Sequence, residues 1–284
     1  MNTMHKLKLV ALLCSGIALA PPALADDIDI FLGMSGGTSD APNVMILIDN
    51  GPNWSRVSQG WPDPNNPGAT ITQGQAELNA IIQVLGSAAA QAQSQGQPIN
   101  VGLALLTPYN TGTSSGGGYI RFGARDMTVP NNLTALQTLL GNIAQCVNPS
   151  GGCGGSANES LSGMNHKDET AAFYELYKYF SGLTPYTGGP NAVNTWDDIV
   201  GNLAWDASGR ALTASALGLT SGFAIANGVY QSPISASHPC AANYIIYIAN
   251  NSQGAIGPFE NVYEPTVVPA LGALPATGAG DTWL

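Results

Sequence analysis

The sequence predicts an α/β fold with a mostly parallel sheet and one antiparallel edge strand. Three observations lead there. Residues 44–48 form an unbroken apolar run that ends on Asp49, the pattern of a strand buried on both faces of a parallel sheet. Leu78, Ile81, Ile82, Leu85, Ala89 and Ala92 then recur at helical spacing, one apolar face of a helix over residues 73–95. Apolar strands follow at 100–107 and, after the Gly116–Gly118 turn, at 119–122. Strand–helix–strand alternation with one hairpin gives the mixed sheet.

The remaining elements follow in order. Lys6 and Lys8 precede an apolar stretch over 9–20, too short to span a bilayer, and Ala23-Leu24-Ala25 is a small-x-small cleavage site. Residues 1–25 are therefore read as a signal peptide, with export of a mature chain starting at Asp26. Residues 26–42 read as a short strand and a Gly/Ser linker, and 43–284 as the main domain. Leu133, Leu136, Leu140 and Ile143 mark a second helix. A third spans 168–180, with Phe173, Leu176, Tyr177 and Phe180 expected on its buried side and Glu175 with Lys178 as an exposed ion pair. Residues 181–239, rich in Gly, Thr, Asn and Pro, read as a loop-rich insertion with short strands. A fourth apolar strand occupies 243–248.

Composition narrows the function classes. Removing residues 1–25 takes away Lys6 and Lys8 and no acid, leaving six bases against 18 acids, a net charge of −12. Nucleic acid and anionic lipid both require clustered Lys or Arg, so neither is expected as a partner. No later segment is apolar and long enough to be expected to cross a membrane. The mature chain carries only His166 and His238, with no H-E-x-x-H and no phosphate-binding glycine loop. Cys146 and Cys153 flank the flexible VNPSGG, the setting for a local disulfide in an oxidising compartment, which would contribute roughly 2.5 kcal/mol in the chain-entropy model. Two free thiols are the other reading. Cys240 is left over, either buried or paired outside this chain.

Several segments in order, NVMILIDNGPNWS, GGYIRFGARDM, AAFYELYKYFSG, GVYQSPIS and CAANYIIYIANN, resemble the amino-terminal part of the PilY family of type IV pilus tip-associated adhesin and biogenesis proteins. The strand ending in Asp-x-Gly-x-Asn resembles the von Willebrand factor A domain. The likeness covers roughly residues 43–250. It implies a doubly wound A-like fold, here either truncated relative to the family at its carboxyl end or a short divergent relative. The sheet would then lack late strands, leaving an edge that must be paired or covered.

The resemblance also implies a divalent-cation site at the end of the first strand. Mg²⁺ needs oxygen ligands, carboxylates above all. Asp49 matches the first acid, Gly51 replaces a serine, Asn53 stands at the second serine and Asn250 replaces the acid after the fourth strand. The candidate metal residues are thus Asp49, Asn53 and Asn250, a degenerate set in which Asp49 has a structural alternative, closing its own turn. Either Lys167 or Thr170 falls where a ligand threonine belongs. Asn50 and Trp54 are expected on a ligand rim with no cofactor, or with a weakly held Mg²⁺. Gly33-Met34-Ser35-Gly36-Gly37 fits G-x-S-x-G, but a turn-rich linker follows where a nucleophile elbow needs a helix.

These readings converge on an exported, non-enzymatic protein of the periplasm, pilus tip or cell surface. It would act in pilus biogenesis, adhesion and motility, with minor pilins and a host or abiotic surface as partners. A generic A-like protein binding envelope or matrix is the alternative, and an exported hydrolase using Ser35 a third.

Overall fold

The computed structural model describes residues 40–51, 54–55, 60–63, 66–107, 117–147, 169–186, 197–199, 217–234 and 241–249. All belong to one compact unit, Ser39–Leu284; a second unit, Met1–Thr38, lies outside the described residues together with the expected leader.

The first strand, β1 (Asn43–Ile48), is buried at every position. It is paired on both sides in parallel, with β4 (Asn100–Thr107) and with β8 (Asn243–Ile248). A ten-residue β5 (Gly117–Asp126) runs antiparallel to β4 and forms one edge, so the sheet order is β5-β4-β1-β8. The mixed sheet and its antiparallel edge strand agree with the sequence expectation. Register shifts near Val101 and Leu103 mark an irregularity in the β4–β5 ladder, the local bend that an extra residue imposes.

Helices cover both faces. Helix α1 (Gln73–Gln95) begins at Thr72, whose hydroxyl accepts from Gln75 N while the Gln75 side chain accepts from Thr72 N. This reciprocal box satisfies two otherwise orphaned amides. Thr72 Oγ1 also donates to Val147 O at 2.9 Å, tying the start of α1 to the end of the next helix. Gly96 ends α1 in the left-handed region at φ 65°, and Gln97 N reaches back to Ala92 O, the glycine-terminated closure that frees no carbonyl. Helix α2 (Pro130–Cys146) starts on proline, which lacks the amide that a first turn leaves unused.

Both helices pack on the face carrying Val44, Ile46 and Ile48. Helix α3 (Glu169–Phe180) packs on the opposite face, against Met45, Leu47, Ala104 and Ile120. Its buried residues are Ala171, Ala172, Glu175, Leu176 and Tyr179, while Phe173 is exposed and Tyr177 and Phe180 are half-buried. The buried face is therefore rotated from the expected one. Ala172 faces Gly118 closely, and the larger rings of Phe173, Tyr177 and Phe180 are left exposed or half-buried.

Two short pairs complete the description. β2 (Trp61–Pro62) and β3 (Thr70–Ile71) form an antiparallel pair ahead of α1. Within the insertion, β6 (Ile225–Ala226) and β7 (Val229–Tyr230) are joined by Asn227 (φ 52°) and Gly228 (φ 77°), the two-residue turn whose twist matches paired strands. The fourth main strand, β8, is only partly covered. Ile245 and Ile246 are about two-fifths exposed, at 41% and 39%, because β8 is the second edge of the sheet among the described residues.

Two small features fix the strand register. Asn100 Nδ2 donates to Asn43 Oδ1 and Asn43 Nδ2 to Asn243 Oδ1, each at 2.9 Å, so three in-register asparagines form a side-chain ladder across three strands. Gly102 is the register partner of Met45. A Cβ there would collide with Met45 Sδ and lie 2.8 Å from Phe122 O, so only glycine lets the methionine cross over β4. Gly102→Ala should lower stability by about 1–3 kcal/mol through overpacking, read as an earlier urea midpoint. An unchanged midpoint would mean that Met45 swings aside without cost.

Candidate functional site

The carboxyl end of β1 delivers Asp49 and Asn50 to the rim of the sheet, where ligands of open α/β folds bind. Both are fully buried. Asp49 N donates to Ile248 O at 3.0 Å, and its Oδ1 accepts from Gly51 N at 2.9 Å, the local turn an aspartate closes with its own chain. Asn50 reaches sideways to β4. Its Oδ1 accepts from Leu106 N at 3.0 Å and its Nδ2 donates to Leu106 O at 3.3 Å. The side-chain amide thus takes the place of one more peptide in the β1–β4 ladder.

Trp54 is the main correction at this rim. Expected to face a ligand, it is fully buried. Its N donates to Gly51 O at 2.9 Å, its O accepts from Gly74 N at 2.9 Å, and its Nε1 donates to Glu77 Oε2 at 2.8 Å. A Cβ on Gly74 would sit 2.7 Å from the indole, so glycine in the first turn of α1 makes room for the ring. Trp54 anchors the loop to the helix. An indole with its N–H satisfied by a carboxylate is a stable buried arrangement.

Acidic groups surround Asp49 without converging. Glu77 also accepts from Gln73 Nε2 at 2.7 Å. Burial pushes its carboxyl up, the two hydrogen bonds pull it down, and the charge of Asp49 raises it further. The Tyr247 hydroxyl is raised by burial first, then by Asp49 and by Glu169, to which it is hydrogen-bonded at the start of α3. Tyr247 also meets the Phe173 ring edge-on at 5.4 Å. Among the described residues no three His, Cys, Asp or Glu side chains come together as a metal-holding group. Asn53, Asn250, Lys167 and Ser35 lie outside the described residues, as does the side chain of Thr170. Cys146 is disulfide-bonded; its expected partner Cys153 lies outside the described residues, as does Cys240.

A second constellation, not expected from the sequence, joins β5, α3 and the insertion. Arg125 forks onto Asp198, with Nη1 2.7 Å from Oδ2 and Nη2 3.3 Å from Oδ1. Its Nε donates to Ser221 O at 3.1 Å, and its guanidinium lies 4.4 Å from the Phe122 ring centroid and 5.5 Å from that of Phe223. A planar cation held by a bidentate carboxylate and two aromatic faces is specific to arginine. Gly123 N donates to Asp198 Oδ2 at 2.6 Å, and a Cβ on Gly123 would meet Gly222 O at 2.7 Å. Glycine here lets the insertion approach the strand. Asp198 N donates to Ile120 O at 3.0 Å, so the insertion covers part of the β5 edge with its own backbone.

Beside this pair stand Glu175, Asp197 and Arg121, all buried. Glu175 accepts from Tyr186 N and from the Tyr230 hydroxyl, so the expected exposed Glu175–Lys178 pair does not form. The Lys178 ammonium instead lies 5.4 Å from the Tyr174 ring centroid. Tyr179 Oη accepts from Ala124 N at 2.8 Å. One signal for this cluster was in the sequence: two of the few basic residues, Arg121 and Arg125, fall inside an apolar strand, and a buried cation demands an acid.

The structure thus defines a mixed α/β domain with a four-stranded sheet flanked by helices. A scan of protein-family models finds no match, and comparison with curated proteins and with solved structures finds none either. Among the described residues no helix is long and apolar enough to cross a membrane.

Burial pushes the Asp197 carboxyl well above its ordinary 3.8; the charges of Glu175 and Asp198 add to this and Arg121 opposes it. A raised folded value means that the stability contributed by the neutral form is complete below the unfolded value. That stability is lost as pH rises through the folded value. Asp197→Asn removes the ionisation, so its melting temperature should fall less than that of the parent as pH rises above the ordinary carboxylate range. Identical slopes in thermal melts would exclude Asp197 as the titrating group.

Proposed function

We infer that this chain is an exported, non-enzymatic, von Willebrand factor A-like protein associated with type IV pili, acting in pilus biogenesis, surface adhesion and motility. The observation that carries the reading is the sheet order β5-β4-β1-β8, with β1 central, β5 antiparallel and Asp49 at the carboxyl end of β1. It is compatible with the α/β class that the resemblance implies. Minor pilins and a host or abiotic surface are the partners.

In this reading Asp49 is a scaffold residue. Its Oδ1 is engaged by Gly51 N, and the loop it closes is pinned by Trp54. Contact with a surface then falls to the exposed part of the same loop. Trp61, 51% exposed in β2, takes the role that Trp54 cannot fill. Tryptophan is among the residues that most often dominate the energetics of binding interfaces.

Deleting the gene in the source organism should abolish twitching motility or surface piliation, and the full chain supplied in trans should restore it. A deletion strain with normal pili and attachment would refute the pilus assignment. Complementation with Trp61→Ala should leave piliation intact while lowering surface attachment severalfold, with an unchanged melting temperature. Loss of both together would assign Trp61 to assembly instead. If Asp49 is structural, millimolar Mg²⁺ or Mn²⁺ will not shift the melting temperature, and Asp49→Ala will lower it equally with and without metal. A metal-dependent rise that Asp49→Ala abolishes would restore a working cation site.

A further inference from the structure

The two edges of the sheet are treated differently. The β5 edge is covered by the insertion through Asp198 N and Ile120 O. The β8 edge has no strand neighbour among the described residues. Its six residues, NYIIYI, contain no charge, no proline and no glycine, the devices that normally keep an edge from pairing. Apolar side chains are exposed on both of its faces, Ile246 on the α1/α2 side and Ile245 on the α3 side.

We propose that β8 pairs antiparallel with β8 of a second copy of this chain, joining two sheets across a two-fold axis centred on Ile246. The backbone sets the phase. Asn43 N bonds Ala242 O and Asp49 N bonds Ile248 O, so even-numbered residues of β8 turn their peptide groups toward β1. Residues 243, 245, 247 and 249 turn theirs outward. A two-fold axis on a residue, and not between residues, makes outward groups meet outward groups; about Ile246 it sets 245 opposite 247 of the second copy.

Side chains then choose among the residues that could carry the axis. About Ile246, Ile246 meets its own copy, Tyr244 meets Ile248, and Ile245 meets Tyr247. Each of these pairs is aliphatic–aliphatic or aliphatic–aromatic, the combinations that stabilise cross-strand contacts. Centring on Ile245 would set Tyr247 against Asn243. Centring on Tyr247 would carry Ile245 opposite the small Ala249, past the last strand residue, Ile248. A self-complementary strand on an isologous axis fits a second copy better than an unrelated peptide. An uncharged edge also lets two chains of net charge −10 approach at their least repulsive point.

Sedimentation velocity of the full chain tests this directly. A concentration-dependent dimer is expected, tightening with added NaCl as the chains' mutual repulsion is screened. Ile246→Lys places two ammonium groups face to face and should return the protein to a monomer. As Ile246 pairs with its copy at a non-hydrogen-bonded site, where Cα atoms lie about 4.5 Å apart, Ile246→Cys should form a covalent dimer on mild oxidation. Ile245→Cys, facing Tyr247, and Val84→Cys, exposed on α1, should not. A wild-type monomer at all concentrations would overturn the proposal, whether the edge is covered by another segment or stays open. So would a dimer that survives Ile246→Lys, or crosslinking at Val84→Cys equal to that at Ile246→Cys. None of these readouts depends on pili, so their failure leaves the pilus reading untouched.

Discussion

Six consecutive residues of β1 are withdrawn from water on both faces, and that single constraint organises the domain. A strand buried on both sides needs hydrogen-bonding neighbours along both edges and a layer of helix above and below. β4 and β8 supply the first requirement. Helices α1 and α2 cover the face of Val44, Ile46 and Ile48, and α3 covers Met45 and Leu47. Once β1 is central, the polar residues that follow it must emerge at one rim. Asp49 and Asn50 are then committed to finishing the strand ends before they can do anything else.

Much of this architecture was legible in the residues. The apolar runs of β1, β4 and β8 and the 3.6-residue spacing of α1 are local patterns, and each located its element. Side-chain fates were harder, because they depend on partners distant in sequence. The face of α3 was misread because Phe173, Tyr177 and Phe180 outweigh alanine in any hydrophobic pattern. The sheet wants small residues where Ala172 meets Gly118, and it places Glu175 inward because Tyr230 is there to bond it. Trp54 reads from the sequence as a ligand-rim residue in a polar loop. Its burial follows from Gly74 and Glu77, a hole and a hydrogen-bond acceptor about twenty residues away. The fate of Asn50 is set by the buried peptide of Leu106 on a neighbouring strand, which no local pattern announces.

The insertion is held in two ways. Phe223, Ala224, Ile225 and Tyr230 enter the two apolar layers, and the segment is further held by a forked arginine pair and a backbone bond from Asp198 to the edge strand. These polar contacts are directional and leave little freedom in where the segment sits, while their desolvation cost limits how much they add to net stability. The apolar layers hold the domain together, and the ionic cluster fixes the position of one segment upon it.

The parallel alignment of β1 and β8 also has a mechanical consequence. Among the described strands β1 is first and β8 last, and they lie side by side in register from Asn43 with Asn243 to Ile48 with Ile248. A pull that enters ahead of Asn43 and leaves beyond Ile248 drags the two strands along their length in opposite directions. Every bond between them, and the Asn43–Asn243 amide contact at one end, is then loaded together instead of being peeled one at a time. A domain tethered by these two ends resists tension as a lap joint does, in shear.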